Sequence, residues 1–397
     1  MKKIAFVVQR YGLEVNGGAE LHCRQLAEHM AKNFIVEVIT TKAVGYVTWE
    51  DSYKSDVEEI NGITVRRFSV KKIRNNKKFN KLSERILQYS SSKEDELVWM
   101  KEQGPYSTEL IQYIRNNKDS YDIFIFFTYL YYTTFFGLQE VNEKAILIPT
   151  AHDEPPIYLS IFNDFFKLPK GIFYNTFQEK KFIEHKFHNE YILNNDGLGG
   201  VGVEVPIDIS GERFCNKYKL HNFVLYIGRI EENKGCKDLF KYFREYKRRN
   251  KSEIKLVLIG KEMMRIPEAQ DIVSLGFVEE QDKFDALAAC NFLILPSLYE
   301  SLSMVVLEAM SVKKTVLVNG KCDVLREHCI KSNGGLYYTN YYEFEGCMNY
   351  LSDNYELICK LGENGKKYVN ENYAWKKIEE RLSEMITKIC GSKDRVD

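Results

Sequence analysis

The tightest limit on the fold comes from the opening of the chain: KKIAFVVQ, a loop through Gly12 to Gly18, a helical pattern from about Ala19 to Lys32, and then FIVEVITT. Two short apolar runs flanking an amphipathic helix form a βαβ unit, whose crossover makes the strands parallel and brings helices onto the sheet faces. Within the helix Ala19, Cys23, Leu26, Ala27 and Met30 recur at helical spacing and share one face. The pattern returns along ITVRRFSV, DIFIFFT, AILIPTAH, GIFYNT and YILNN, so the first half reads as an open, mostly parallel sheet with helices on both faces.

A second series of apolar runs, FVLYIGRI, IKLVLIG, DIVSLGF, NFLILPS, KTVLVNG and GGLYYT, again alternates with helical patterns. Residues 196–222, DGLGGVGVEVPIDISGERFCNKYKLHN, are glycine-rich without a helical period and read as a linker. The expectation is therefore α/β: two doubly wound domains, residues 1–204 and 205–375, with ligands at the carboxyl ends of the strands and a cleft between the domains. NYAWKKIEERLSEMITKIC, at the end, reads as an amphipathic helix with Trp375, Ile378, Leu382, Met385 and Ile386 on one face. The segment from about 43 to 115 is the least regular, and it carries a basic run, KKIRNNKKFNKLSERIL, at 71–87.

A chain of 397 residues has room for two or three domains. Its 56 basic and 56 acidic residues balance, which argues against a nucleic-acid partner held by bulk charge. Nine cysteines without a C-x-x-C pair or a zinc-ligand spacing read as reduced thiols and point to a cytoplasmic location. MKKIAFVVQRYG is too short an apolar run for a signal core or a membrane span and reads as a first strand.

Four stretches can carry chemistry. In YIGRIEENKG a strand ends at Gly228, and Arg229 and Lys234 follow it; two cations at a strand's carboxyl edge suit a diphosphate, although a solvated turn fits the same residues. In PSLYESLSMVVLEAM, Ser303 is the expected N-cap of a helix whose first N–H groups form an anion site. Glu300 sits in the loop before it. Glu308 lies among Val305, Val306, Leu307, Ala309 and Met310, where an unpaired carboxylate is costly, so a polar partner is required and a ribose or sugar hydroxyl pair would serve.

NGGAE, residues 16–20, puts Gly17 and Gly18 at a helix start but lacks the G-x-G-x-x-G fingerprint, which disfavours a nicotinamide cofactor. TAHDEPPIYL places His152 and Asp153 just past a strand, where a structural histidine is the alternative reading. No D-x-D motif lies at a strand end, so no metal and no bound cofactor is expected, and any diphosphate charge falls to Arg229, Lys234 and helix N-termini.

In this order, glycine loop, His-Asp, G-R-x4-K-G and P-S-x3-E-x7-E-A-M, the motifs resemble those of family 4 retaining glycosyltransferases of the GT-B fold. The resemblance implies two Rossmann-like domains, an N-terminal one for the acceptor and a C-terminal one for a nucleotide sugar, with a last helix, 376–390, crossing back to the first. It assigns Arg229 and Lys234 to the donor diphosphate, Glu308 to the ribose and Glu300 to the donor sugar. Leu302, Ser303 and Met304 correspond to the helix-start turn at the sugar and distal phosphate. Gly17 and Gly18 correspond to the loop near the phosphates, His152 to the histidine beside the transferred sugar, and Gly276 and Val278 to the turn bordering the base.

The implied reaction moves a hexose-type sugar, from a UDP-sugar by preference with a GDP-sugar as the alternative donor, to a glycan or lipid-linked saccharide of surface polysaccharide such as lipopolysaccharide or capsule. The catalytic set is Glu300, His152, Arg229 and Lys234. The basic run at 71–87 is compatible with peripheral contact with the inner membrane surface, although a solvated loop is the preferred reading. A nucleotide-sugar 2-epimerase of the same fold and a catalytically silent nucleotide-sugar-binding partner are the alternatives. The chain departs from the family pattern at Ser303-Met304, at Ser311-Val312-Lys313-Lys314-Thr315 and at Asn319-Gly320-Lys321.

Overall fold

A computed structural model describes residues 1–15 and 17–391, so Asn16, the first residue of NGGAE, lies outside the described residues. The chain divides into two compact units: Met1–Val201 together with the chain from Trp375 onward, and Gly202–Ala374.

Among the described residues the first unit contains β1 (Lys3–Val7), β2 (Ile35–Thr41), β3 (Val57–Ile60), β4 (Ile63–Phe68), β5 (Ile123–Phe127), β6 (Ala145–Ile148), β7 (Gly171–Ile172) and β8 (Leu193–Asn194). They form one sheet in the order β3-β4-β2-β1-β5-β6-β7-β8. Every pairing is parallel except β3 with β4, a hairpin turning at Asn61 and Gly62, both with positive φ as a tight two-residue turn needs.

Both faces of this sheet are buried, which is why the strands read as unbroken apolar runs. Ala5, Val7, Phe124, Phe126 and Leu147 face one core. Ile4, Phe6, Val8, Ile125, Phe127, Ile146 and Ile148 face the other, together with Cys23, Leu26, Ala27 and Met30 of the helix Gly18–Met30. That second core is completed by Ile378, Leu382, Met385, Ile386 and Ile389 of the helix Trp375–Gly391. Trp375 stacks on His29 with ring centroids 3.6 Å apart, which seats the start of the last helix on the first one.

The irregular-looking segment is more ordered than its sequence suggests. It holds the β3–β4 hairpin and the helices Asn76–Gln88, Lys93–Gln103 and Thr108–Asn116. Most of the basic run lies on the first of these, with Lys77, Lys78 and Lys81 exposed, Ile86 buried, and Phe79 and Leu82 packed against the core. Among the described residues no helix is long and apolar enough to cross a membrane.

His22, on the helix Gly18–Met30, is buried with Nε2 3.0 Å from the Gly200 carbonyl and its ring edge-on to Phe127. Burial pushes its pKa from the ordinary 6.5 down to about 4. The unfolded chain therefore takes up a proton near pH 6.5 that the native state refuses until about pH 4. This contribution to stability is present above about pH 6.5 and is lost as the pH falls toward 4, by a few kcal/mol. Denaturant midpoints measured between pH 7 and 4.5 should fall steeply, and His22→Gln should flatten the decline.

The second unit contains β9 (Phe223–Ile227), β10 (Lys255–Ile259), β11 (Ile272–Ser274), β12 (Leu293–Leu295), β13 (Val316–Asn319) and β14 (Gly335–Tyr338), all parallel, in the order β11-β10-β9-β12-β13-β14. Counted within the unit this is 3-2-1-4-5-6, the doubly wound order whose direction reverses between its first and fourth strands. The reversal falls between β9 and β12. Ligands of such sheets bind beyond the carboxyl ends of those two strands.

One part of the expected linker is a helix. Gly211–Tyr218 starts at Ser210, whose side chain accepts from Arg213 N, and it packs on the helix Glu280–Ala289. Asp285 of that partner helix is fully buried and accepts from Ser210 N at 2.8 Å and from Arg213 Nε and Nη2 at 2.5 and 2.8 Å. Burial would raise the Asp285 carboxyl, but Arg213 and Ser210 outweigh it and hold the group below the usual aspartate value. Two turns of helix are too short to show a period, and the carboxylate that fixes them lies far along the chain.

Candidate functional site

The loop after β9 and the loop after β12 meet at the strand reversal of the second unit. Gly228 and Arg229 leave β9, and a short turn at Glu232–Lys234 leads through Gly235 into the helix Cys236–Arg249. Gly235 has φ +76°, and a Cβ there would stand 2.3 Å from the Pro296 carbonyl oxygen, so only glycine lets this loop lie against the end of β12. Gly260, just past β10, lies against the same loop: a Cβ on it would stand 1.9 Å from the Gly228 carbonyl oxygen, and Gly228 itself has φ +151°. The Asn319 amide donates to the Pro296 carbonyl at 3.0 Å and ties the end of β13 to the same place.

These contacts bring Lys234 and Glu300 together, with Lys234 Nζ donating to Glu300 Oε1 at 2.7 Å. Both are largely buried, with side chains 27% and 14% exposed. Arg229 is 45% exposed and lies 3.0 Å from Glu231 Oε1. Lys234 has three N–H donors and can keep Glu300 while meeting a phosphate oxygen.

The helix Met304–Ser311 begins in a way the sequence did not show. Ser303 occupies the N-cap position with φ +66° and ψ +76°, a left-handed conformation, and its side chain makes no cap bond. Its carbonyl accepts from Val306 N at 3.1 Å and Leu307 N at 3.4 Å. Its hydroxyl is buried and has no hydrogen-bond partner among the described residues. A non-glycine residue held in this region costs of the order of 1–3 kcal/mol, and such strain concentrates at ligand sites.

Glu308 lies beyond the first turn, so the helix dipole does not account for it. Its polar partner is a side chain: Lys283 Nζ donates to Glu308 Oε1 at 3.0 Å and to Glu280 Oε1 at 2.8 Å. A ligand hydroxyl is thus not required to satisfy Glu308. Burial still pushes the Glu308 carboxyl up, against the pull of Lys283. Burial also works against the Lys283 ammonium, but Glu308 and Glu280 hold it above the usual lysine value. Gly276, with φ +65°, and Val278 follow β11 in the same unit, and Gly276 O accepts from Gly260 N at 2.8 Å.

Gly17, Gly18 and His152 belong to the first unit. Gly17 is the N-cap of its helix, and a Cβ there would stand 2.0 Å from Glu20 Oε2. Glu20 is buried and accepts from Arg10 and from Gln9 Nε2. His152 follows β6, with Nε2 3.5 Å from Glu154 Oε2, while Tyr129 donates to Glu154 Oε1 at 2.8 Å. The residue before it, Ala151, donates its N–H to Glu179 Oε1 at 2.6 Å, and Asn175 N donates to Glu179 Oε2 at the same distance. Burial raises the Glu179 carboxyl to about 8.

Thr128 and Thr150, at the ends of β5 and β6, both have positive φ and share a hydroxyl hydrogen bond of 3.1 Å. Two β-branched residues held at positive φ on adjacent strand ends store backbone strain of the kind that concentrates at ligand sites. Sequence reasoning singled out neither the threonines nor Lys283, Glu154, Glu179 or His328. No periodicity or spacing links Lys283 to Glu308.

Comparison with known proteins bears on the fold and on the second unit. Residues 212–368 match the family model of the glycosyl transferases group 1. A search of curated proteins gave no match. Among solved structures, sucrose-phosphate synthase from Thermosynechococcus elongatus superposes with a TM-score of 0.73 at 14% identity, covering 99% of this chain and 100% of its own. Anabaena HepE in complex with UDP and glucose gives 0.68 at 14% identity, covering 98% and 100%. WaaG, a glycosyltransferase involved in lipopolysaccharide biosynthesis, gives 0.63 at 14% identity, covering 97% and 99%. At these identities the superpositions speak for the fold, and the family model for residues 212–368. Two parallel α/β units of this topology, superposing over nearly the whole chain on these structures, give the chain the GT-B fold, and its residues 212–368 match the glycosyl transferases group 1, which supports a glycosyltransferase enzyme.

Proposed function

We propose that the enzyme transfers a hexose-type sugar, with retention of anomeric configuration, from a UDP-sugar to a glycan or lipid-linked saccharide acceptor of surface polysaccharide. The observation that carries this reading is the pairing of Lys234 with Glu300 beside Arg229, at the carboxyl ends of β9 and β12. The HepE complexes with UDP and glucose and with UDP-glucose support UDP as the nucleotide.

In the proposed step the acceptor hydroxyl oxygen bonds to the anomeric carbon on the face from which the diphosphate leaves, and a leaving phosphate oxygen takes its proton. Negative charge grows on the diphosphate as the glycosidic bond breaks. Arg229 and Lys234 therefore bind the transition state more strongly than the ground state. Glu300 orients the donor sugar, Glu308 the ribose, and Leu302 to Met304 the distal phosphate. Gly276 and Val278 border the base. His152 and the Gly17–Gly18 helix start are the proposed contributors from the first unit. No metal enters this scheme, and the location is cytoplasmic, with the helix Asn76–Gln88 available to anionic lipid.

Thermal unfolding against a panel of nucleotide sugars tests the donor, because a ligand at a hundred times its Kd stabilises by about 2.7 kcal/mol. UDP-sugars should raise Tm and GDP-sugars should not. NMR of the product should then show the donor's anomeric configuration, and inversion would exclude the retaining scheme.

A further inference from the structure

His328, on the helix Asp323–Ser332, is buried, and its Nε2 lies 2.8 Å from the Leu302 carbonyl oxygen. A carbonyl only accepts, so Nε2 carries the hydrogen. The other ring nitrogen, Nδ1, lies 3.1 Å from the Tyr368 hydroxyl. In the neutral imidazole Nδ1 is then the acceptor, and Tyr368 donates to it. Tyr368 in turn lies 3.4 Å from the Tyr373 hydroxyl. Burial lowers the His328 pKa to about 4, so the ring stays neutral at physiological pH and the tautomer is set by its two neighbours.

The peptide that His328 grips is the one entering Ser303. In a trans peptide the C=O and the following N–H point in opposite directions. A Leu302 carbonyl fixed on His328 therefore aims the Ser303 N–H away from the histidine. Ser303 is the strained left-handed residue at the helix start, and its buried hydroxyl has no hydrogen-bond partner among the described residues. A grip on a strained peptide that leaves its hydroxyl unsatisfied favours presentation of that peptide over packing alone.

We propose that His328, its tautomer fixed by Tyr368, is a positioning residue that holds the Leu302–Ser303 peptide so that the Ser303 N–H and hydroxyl meet the distal phosphate of the donor. This rests on the reading of residues 302–304 as the distal-phosphate turn, and it adds to that reading the device that keeps the turn in place.

The test compares the affinities of UDP and UMP, the probes that differ by the distal phosphate, in the full chain. His328→Leu should weaken UDP about tenfold and leave UMP within about twofold, the loss of one well-placed hydrogen bond to a charged group. His328→Gln, whose amide N–H can reach the Leu302 carbonyl, should restore most of the UDP affinity. Tyr368→Phe should give a smaller loss of the same kind, and it decides the matter should His328→Leu fail to fold.

General damage to the unit would weaken both nucleotides and lower Tm, and that outcome overturns the proposal. So does an unchanged ratio of UDP to UMP affinity in His328→Leu and Tyr368→Phe, given a wild-type protein that prefers UDP and loses the preference on Arg229→Ala. A wild-type protein with no preference for UDP over UMP overturns the reading of the turn itself, which separates the two failures.

Discussion

Arg229→Ala is expected to lower kcat by about 10²–10³ while leaving the unfolding temperature nearly unchanged. The kinetic loss follows from removing a donor aimed at charge that develops in the transition state, which in comparable cases is worth that factor. The thermal result follows from exposure. Arg229 is 45% exposed, so the screened ion pair lost with Glu231, itself 17% exposed, should cost no more than about 1 kcal/mol. Lys234→Ala should lose as much turnover, but it also takes the partner from Glu300, whose side chain is only 14% exposed. A stability loss of about 1–2 kcal/mol is expected with it. Steady-state kinetics and calorimetry on the two variants check the contrast, and near wild-type turnover in both would sink the diphosphate assignment.

Glu308→Ala should be the most destabilising single change at the site. It leaves the Lys283 ammonium, 14% exposed, with only the outlying Glu280 as partner. Breaking a buried pair by removing one member costs about 3–5 kcal/mol, and the remaining carboxylate reduces this to roughly 2–3 kcal/mol. For a domain of this size that corresponds to a fall in Tm of roughly 5–10 °C. Replacing both members, Glu308→Leu with Lys283→Met, should recover most of the loss, since a well-packed apolar pair does not have to desolvate two ions. Binding discriminates between the roles of Glu308. The double variant should unfold near the wild-type temperature and still bind UDP weakly, because the carboxylate assigned to the ribose is gone. Full UDP affinity in that protein would leave Glu308 a structural residue only.

The parallel sheets were legible because their strands are buried on both faces, so runs such as IFIFF and KLVLI announce themselves without any partner being known. The strand ends carrying Arg229, Lys234 and Glu300 were legible for the same reason: they immediately follow such runs. What stayed hidden depends on groups distant in sequence. The helix at Gly211–Tyr218 needs Asp285, Glu308 needs Lys283, and the Leu302 carbonyl needs His328. The helix Met304–Ser311 does start at the N-cap Ser303 that the sequence indicates, but the conformation of that cap was hidden for a different reason. A serine before an apolar helix usually caps it through its side chain, and only the backbone shows that Ser303 is left-handed instead.

The last helix has a consequence for biosynthesis. Ile378, Leu382, Met385, Ile386 and Ile389 complete one core of the first unit, yet the ribosome delivers them only after all of the second. Until then one face of the first sheet, with Phe6, Val38 and Ile125, lacks part of its cover. A nascent or prematurely stopped chain would carry that apolar face into solution, where it becomes a target for chaperones or for self-association. Chains ending before Trp375 should accordingly be recovered mainly as aggregates, even though every residue assigned to donor binding is present in them.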